Sequence, residues 1–416
     1  MNDGIGRLRI LIVGAGIGGL SAALSLHAAG LADVTLLEAS AALSPVGAGL
    51  NVQPAAVREL TELGLASELA RNAVATGTLE FHHRRGGLIW AEARGMDAGY
   101  RWPQYSIHRG CLQELLLAAV EERLGNDVIR LGRPVNRVSD DGKRVTAVCG
   151  TGESFEADLL IGADGVDSVV RAHLYPHEGP AIGNGITMWR GLSRGLAYRD
   201  GRTMLVIGCN STEKAVVYPI TAPDPAGLCT INWVVESHTP GGEVPEVISP
   251  AVVTKLLAGW NHAEIDLRRM IEDCEEITTF PMIDRNPLPS WTRGRTVLIG
   301  DAAHPMYPTG SNGASQAVID ARVLAYYLAI LPVDEALWAF DALRRPETSG
   351  LLAAHRRLEP DQLLYRVETL APEGFEDIAS VLSRAELDDI AATGRRVTGL
   401  SVQEINTMRS WSVSVG

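Results

Sequence analysis

Five cysteines lie scattered along 416 residues, at positions 111, 149, 209, 229 and 274, an odd number with no CxxC spacing. Such usage excludes a disulfide framework and a thiolate zinc site, and it fits free thiols in a reducing compartment. Positive charge is scarce too: 37 Lys and Arg stand against 50 Asp and Glu, a net charge of −13. A nucleic-acid surface wants basic patches, and no basic run is present. No His, Cys or carboxylate cluster has metal-ligand spacing, so no metal is expected. Internal repeats and low-complexity tracts are missing as well. With 46% hydrophobic residues the chain can bury a sizeable core, in two domains or one elaborated domain. The expectation is a cytoplasmic protein that engages neither nucleic acid nor membrane.

One long uncharged run is present. Residues 10–32 hold no Asp, Glu, Lys or Arg and follow Arg7 and Arg9. Alone, that could be a signal peptide or a membrane span. Local detail favours another reading. Residues 8–13 form a short, β-rich run suited to a central parallel strand. Gly14-Ala15-Gly16-Ile17-Gly18-Gly19 follows at once, residues 20–29 read as a helix, and Gly30 is placed to end it. A second strand, 34–37, ends at Glu38 and Ala39, with Glu38 nineteen residues beyond Gly19. This is the dinucleotide fingerprint in its strand–turn–helix context. Gly14 permits the tight turn, Gly16 lets backbone approach a pyrophosphate, and Gly19 lets helix and strand pack closely. The helix N-terminus supplies N–H groups to the phosphates, and Glu38 would accept hydrogen bonds from an adenosine ribose.

Further along, residues 54–69 read as helix, 79–82 and 88–90 as strands, and 112–124 as helix. Strands follow near 128–131, 145–148 and 159–161. Residues 183–280 are strand-rich, with a helix around 250–260, and suit an antiparallel sheet. Beyond about 346 the chain reads as helical, with Pro346, Pro360 and Pro372 as breakers. Two more buried-type strands end in Gly and Asp. After residues 159–161 comes Gly162-Ala163-Asp164-Gly165, and after 296–299 comes Gly300-Asp301-Ala302-Ala303-His304-Pro305. Carboxylates at strand ends can bind sugar or ribityl hydroxyls. The second motif runs through Pro308, Gly310, Asn312 and Gly313 into an apolar helix at about 314–331. That helix N-terminus would favour negative charge on a bound ring.

These three motifs, in this order, resemble the FAD-dependent aromatic hydroxylases of the para-hydroxybenzoate hydroxylase type, over about residues 8–345. Gly47-Ala48-Gly49-Leu50-Asn51, Pro103-Gln104-Tyr105-Ser106-Ile107-His108-Arg109 and Thr187-Met188-Trp189-Arg190-Gly191 are similar to its phenazine-hydroxylating branch. Residues after about 370 are not. The resemblance implies an α/β fold. It comprises a Rossmann-like FAD-binding domain with a ββα-type parallel sheet (1–75, 103–182 and 281–345) and an inserted, mostly antiparallel substrate sheet domain (76–102 and 183–280). A helical C-terminal region (346–416) completes it. FAD would be held by Gly14, Gly16, Gly18, Gly19, Glu38, Ala39, Gly49, Arg109, Asp164, Asp301, Pro308, Gly310, Asn312 and Gly313. NADH or NADPH would reduce it, O₂ would add at flavin C4a as a hydroperoxide, and an aromatic or N-heteroaromatic ring would be hydroxylated.

No residue stands out as an obligatory acid or base. Trp189, Arg190, Tyr218, Asn232, Trp233, Pro305 and Tyr307 are the pocket candidates, and His304 reads as a residue that fixes its loop. Two alternatives stay open: an FAD-dependent reductase or dehydrogenase without oxygen insertion, and a non-enzymatic flavoprotein that sequesters an aromatic compound. A flavin halogenase is disfavoured by the lack of a WxWxIP motif. The protein is expected as a monomer or homodimer.

Overall fold

The computed structural model describes residues 8–44, 47–238, 248–262, 265–357, 361–398 and 401–413. It opens with β1 (Ile10–Val13), α1 (Ile17–Ala28) and β2 (Val34–Leu37), then β3 (Gly49–Val52), α2 (Pro54–Glu62), α3 (Ala66–Asn72) and β4 (Val74–Thr76). β5 (Thr78–His82), β6 (Leu88–Ala93), β7 (Gln104–His108), α4 (Arg109–Leu124) and β8 (Ile129–Arg130) follow. Next come β9 (Val135–Asp140), β10 (Val145–Cys149), β11 (Ser154–Ala157), β12 (Leu159–Gly162) and α5 (Val169–Leu174). The long strands are β13 (Ile182–Leu196), β14 (Thr203–Gly208), β15 (Glu213–Pro219) and β16 (Leu228–His238). After α6 (Pro250–Leu256), α7 (Leu267–Glu272) and β17 (Ile277–Asp284), the chain forms β18 (Thr292–Arg293) and β19 (Thr296–Leu298). It ends in α8 (Gly313–Ile330), α9 (Val333–Arg356), α10 (Gln362–Leu370), α11 (Arg384–Thr398) and α12 (Val402–Thr407).

The first sheet runs β18-β19-β12-β1-β2-β8. β1 has a parallel neighbour on each side, and all four of its side chains are buried. A strand covered on both faces needs this continuous apolar run rather than an alternating one. The chain leaves β1 toward β2 on one side and returns much later to β12 on the other. The carboxyl end of β1 is therefore a topological switch point, where open α/β sheets bind ligands.

The second large sheet runs β17-β13-β16-β15-β14-β5-β6. It is antiparallel except where β14 meets β5. Its back face carries Trp189, Trp233, Val217 and Ile207 against α6 and α7, through Val253, Leu257, Leu267 and Ile271. Its front face meets α10 and α11. Three-stranded sheets β11-β10-β9 and β3-β7-β4 complete the molecule.

Several expected boundaries move. The helix expected at 54–69 is two helices, because Gly64 adopts φ +77° between them. Val128 lies in a 3₁₀ turn and only Ile129–Arg130 pair as strand. The helix expected at 250–260 stops at Leu256. Pro346 does not break the chain's course but sits inside α9. Its neighbours explain the tolerance. The Arg344 guanidinium donates to Asp320 at 2.8 Å, and the Thr348 hydroxyl donates to the carbonyls of Arg344 and Arg345. Tertiary clamping thus outweighs the cost of proline in a helix interior, about 3 kcal/mol. Pro372 follows the end of α10 as expected, and Pro360 lies outside the described residues. Among the described residues no helix is long and apolar enough to cross a membrane.

Candidate functional site

The N-terminal glycines divide their work by geometry. Gly14 has φ +103°, and a Cβ there would sit 2.5 Å from the Ala163 carbonyl oxygen. A Cβ at Gly19 would lie 1.9 Å from the Gly14 oxygen, so only glycine lets α1 close on β1. Gly18 packs less tightly, 3.6 Å from Ala317 Cβ. Gly16 differs from all three: its Cβ would meet nothing within 4 Å. It caps α1 with no side-chain hydrogen bond, leaving the helix N–H groups free for an anion. Glu38 stands at the end of β2, where its carboxylate accepts from Ala15 N–H and Ser40 N–H, both at 2.8 Å. These bonds fix its orientation beside the turn. Ala39 is exposed next to it.

Arg109 begins α4 with an exposed guanidinium that has no hydrogen-bond or ion-pair partner among the described residues. Its charge still reaches Asp301 and favours that carboxylate. Asp301 combines accessible surface with a dense protein surround, as a group does at the floor of a concave surface. Desolvation there pushes its carboxyl above the usual range, with His304 and Arg109 opposing.

The loop carrying Asp301 is held by a buried network. His304 Nε2 lies 2.6 Å from Asp320 Oδ2, Gly300 N–H donates to the same oxygen at 2.9 Å, and Arg344 holds the other oxygen. Together these partners hold Asp320 below the usual carboxylate range against desolvation, the largest single influence on it. Beyond it, Gly310 (φ +74°) and Ser311 (φ +57°) turn the chain into α8. Gln53, which caps α2, grips this turn: its Nε2 donates to the Gly310 carbonyl at 3.2 Å and its N–H to Ser315 Oγ at 2.9 Å. Pro308 is exposed at its tip. Asn312 caps α8 without a side-chain bond, and its buried Nδ2 has no partner. Gly313 sits beside Asp301, its Cβ position 3.7 Å from Oδ1.

Two expected cofactor residues also have structural partners. Asp164 accepts from Val169 and Val170 N–H at 2.8 and 3.2 Å and from the Ser168 hydroxyl, so it organises the start of α5. Gly49 donates its N–H to Asn232 Oδ1 at 2.7 Å, and a Cβ there would stand 2.8 Å from Tyr218 Cε2. Gly49 is thus the close contact between β3 and the large sheet.

A cavity opens between the Pro308–Ser311 turn, the front face of the large sheet, α10 and α11. Leu79, Phe81, Met204, Val206 and Val216 form its apolar side. Gln53, Gln104 and two groups of charged residues supply its polar lining. In one group, Lys214 Nζ lies 3.1 Å from Glu236 and 2.8 Å from Asp361. In the other, Arg94 pairs with Glu92 at 2.5 Å.

None of the seven expected pocket residues lines this cavity. Trp189 and Trp233 are corrected outright, because the two-residue alternation of β13 and β16 sends them to the back face. There their indole N–H groups donate to Ser237 and Ser193. Tyr218 and Asn232 do face forward, but they are buried against Gly49, and burial pushes the Tyr218 phenol up to about 12. Tyr307 packs with Ile186, Met188, Val234 and Met282, and Pro305 is buried beside it in the chain. Arg190 is half-buried on the forward-facing side of β13, and its Nε has no partner. Sequence reasoning missed Lys214 and Glu236. The signal was available: each is a charge inside an apolar strand, in phase with Val216 and Val234.

The residues fit a bound flavin dinucleotide. The open side of Gly16, the uncapped N-termini of α1 and α8, the unpaired Arg109 and the orphaned Asn312 amide all await one extended, anionic ligand. Comparisons with known proteins agree. A family model described as "FAD binding domain" matches residues 7–337. Phenazine 1,6-dicarboxylic acid hydroxylase of Lysobacter antibioticus is 41% identical over 83% of this chain and 89% of its own length. Salicylate hydroxylase of Pseudomonas putida is 32% identical over 82% of each. A Klebsiella pneumoniae structure, HpxO with FAD and uric acid, shares the fold at TM-score 0.76 and 22% identity, over 95% of this chain and 98% of that one.

Proposed function

The chain belongs to the FAD-binding domain family, and from that premise we propose how it works as an FAD-dependent monooxygenase on an aromatic or N-heteroaromatic ring. FAD, when bound, carries reducing equivalents from NADH or NADPH to O₂ and delivers one oxygen atom to the ring. The protein's own work is to bind, orient and exclude water. Gly14, Gly16, Gly18 and Gly19 with the α1 N-terminus hold the diphosphate, and Glu38 and Ala39 flank the adenosine ribose. Arg109 and Asp301 meet the phosphate and ribityl portion. Pro308, Gly310, Asn312 and Gly313 would hold the ring system at the α8 N-terminus, whose positive potential would stabilise negative charge on it. Asp164 and Gly49 act behind this surface, through α5 and through the β3 contact.

The observation that carries the reading is the cavity between the Gly310 turn and the apolar sheet face. Its wall of Leu79, Phe81, Met204, Val206 and Val216 offers the apolar surface on which a planar ring would lie. We also assign residues 1–75, 103–182 and 281–345 to the nucleotide-binding part, 76–102 and 183–280 to the substrate sheet, and 346–416 to a helical region. The five cysteines are free, which supports a reducing compartment, the cytoplasm. The test follows NAD(P)H and O₂ consumption with and without candidate aromatics. Substrate-stimulated oxidation with a product heavier by one oxygen is expected. Oxidation with an unchanged ring would make the protein a reductase, and tight binding with no oxidation a sequestering protein.

A further inference from the structure

The charges around the cavity do not balance in favour of an acid. Its lining carries two cations, Arg94 and Lys214, and three carboxylates, Glu92, Glu236 and Asp361. Neither cation is free. Lys214 is buried and shared between Glu236 and Asp361, and Arg94 is held by Glu92. Asn210 Nδ2 adds a third bond to this buried group, donating to Glu236 Oε2 at 2.8 Å. All these bonds use Oε2 of Glu236 and Oδ2 of Asp361. Among the described residues Glu236 Oε1 and Asp361 Oδ1 accept no hydrogen bond. Among the described residues Arg190, whose guanidinium Nε has no partner, stands on β13 outside the lining.

The sheet register places the two charged groups apart. Lys214 lies on β15 and Glu92 on β6, three strands away. They are also offset along the strands, because Lys214 pairs with the Gly208 row and Glu92 with the Leu79–Met204 row. On a pleated sheet that separation is roughly 20 Å. The apolar residues Phe81, Val206 and Val216 fill the span between.

Resting on the monooxygenase reading, we propose that the Lys214–Glu236–Asp361 corner selects an uncharged or cationic N-heteroaromatic substrate, whose N–H or O–H donor faces Glu236 and Asp361, over one that places a carboxylate there. A carboxylate in this corner would meet two like charges for one cation at low dielectric, while a donor would satisfy an open acceptor. The selection depends on the C-terminal region, because Asp361 enters from just before α10, beyond the matched family segment.

The test compares phenazine-1-carboxamide with phenazine-1-carboxylate on the FAD-loaded protein at pH 8, by calorimetry and by flavin absorbance shift. The amide is expected to bind at least ten-fold tighter. Asp361→Asn should cut that preference about ten-fold by strengthening binding of the acid. Glu236→Gln is the second variant should the first not fold, and it should shift the ratio the same way. A carboxylate that binds as tightly as the amide to the natural protein overturns the inference and leaves the monooxygenase reading standing. So does a folded Asp361→Asn or Glu236→Gln protein with the original ratio. A protein that binds neither ring and shows no ring-stimulated NAD(P)H oxidation overturns both.

Discussion

The two faces of the large sheet are made from the same strands and have opposite characters. On β15, Ala215 and Val217 point back into a core closed by Trp189, Trp233 and the helices α6 and α7. Lys214 and Val216 point forward into the cavity. Every polar atom offered by the back-face indoles is matched within the sheet, to Ser193 and Ser237. The front face holds charge in groups of two and three and keeps acceptors open. One face is closed into a core and the other opens on a cavity, and the two-residue period of the strand keeps them separate.

The contrast can be broken hardest from behind. Trp233→Ala should cost about 3–5 kcal/mol, read as a lower urea midpoint, because it empties a fully buried site. A loss below 1 kcal/mol would mean that the back face is not the stabilising one. From the front, Lys214→Met should cost about 3 kcal/mol at pH 8 by stranding Glu236 and Asp361 as buried, unpaired charges. In the natural protein desolvation of Lys214 is outweighed by Asp361 and Glu236, which raise its ammonium above the usual lysine range. The natural protein's advantage is therefore full at pH 8, and the loss should shrink as pH rises above the unfolded lysine value of 10.5. A pH-independent loss would show that cavity packing rather than charge is at stake.

Asp301→Ala sharpens the comparison by sparing both faces. It should weaken FAD binding by about 2 kcal/mol, on the order of 30-fold, seen as lost yellow colour after dialysis, with the apoprotein melting as before. Fully yellow protein after dialysis would remove the role given to Asp301. The smallest effect is expected from Met204→Leu on the cavity wall, a near volume-conserving swap that should cost less than about 1.5 kcal/mol. Ring binding, read by the flavin absorbance shift, should nevertheless change. If stability moves more than binding, Met204 belongs to the core and not to the site.

Legibility differed between these regions for reasons of range. The Gly14–Gly19 turn is readable because its constraints act over a few residues: a positive φ, a 1.9 Å clash and a helix N-terminus. Gly310 and Asn312 before α8 were readable on the same ground. Pro346 misled because its local penalty is overridden where Arg344 is held by Asp320 of another helix, a contact outside the helix's own sequence. The aromatic pocket candidates misled in another way. Trp189 and Trp233 suggest a ring-binding surface by residue type, but only register decides which face a strand residue takes.

By itself the chain determined its nucleotide turn, the order of its strands and helices, and the class of cofactor it carries. These follow from steric and hydrogen-bonding rules between near neighbours. The cavity proposed for the substrate was decided by tertiary structure alone. Asp361 reaches Lys214 across 147 residues of sequence, and Glu92 and Arg94 reach the same cavity from a strand formed long before β13. The balance of charge there is a sum over distant segments, and Coulomb interactions depend on separation in space, not along the chain.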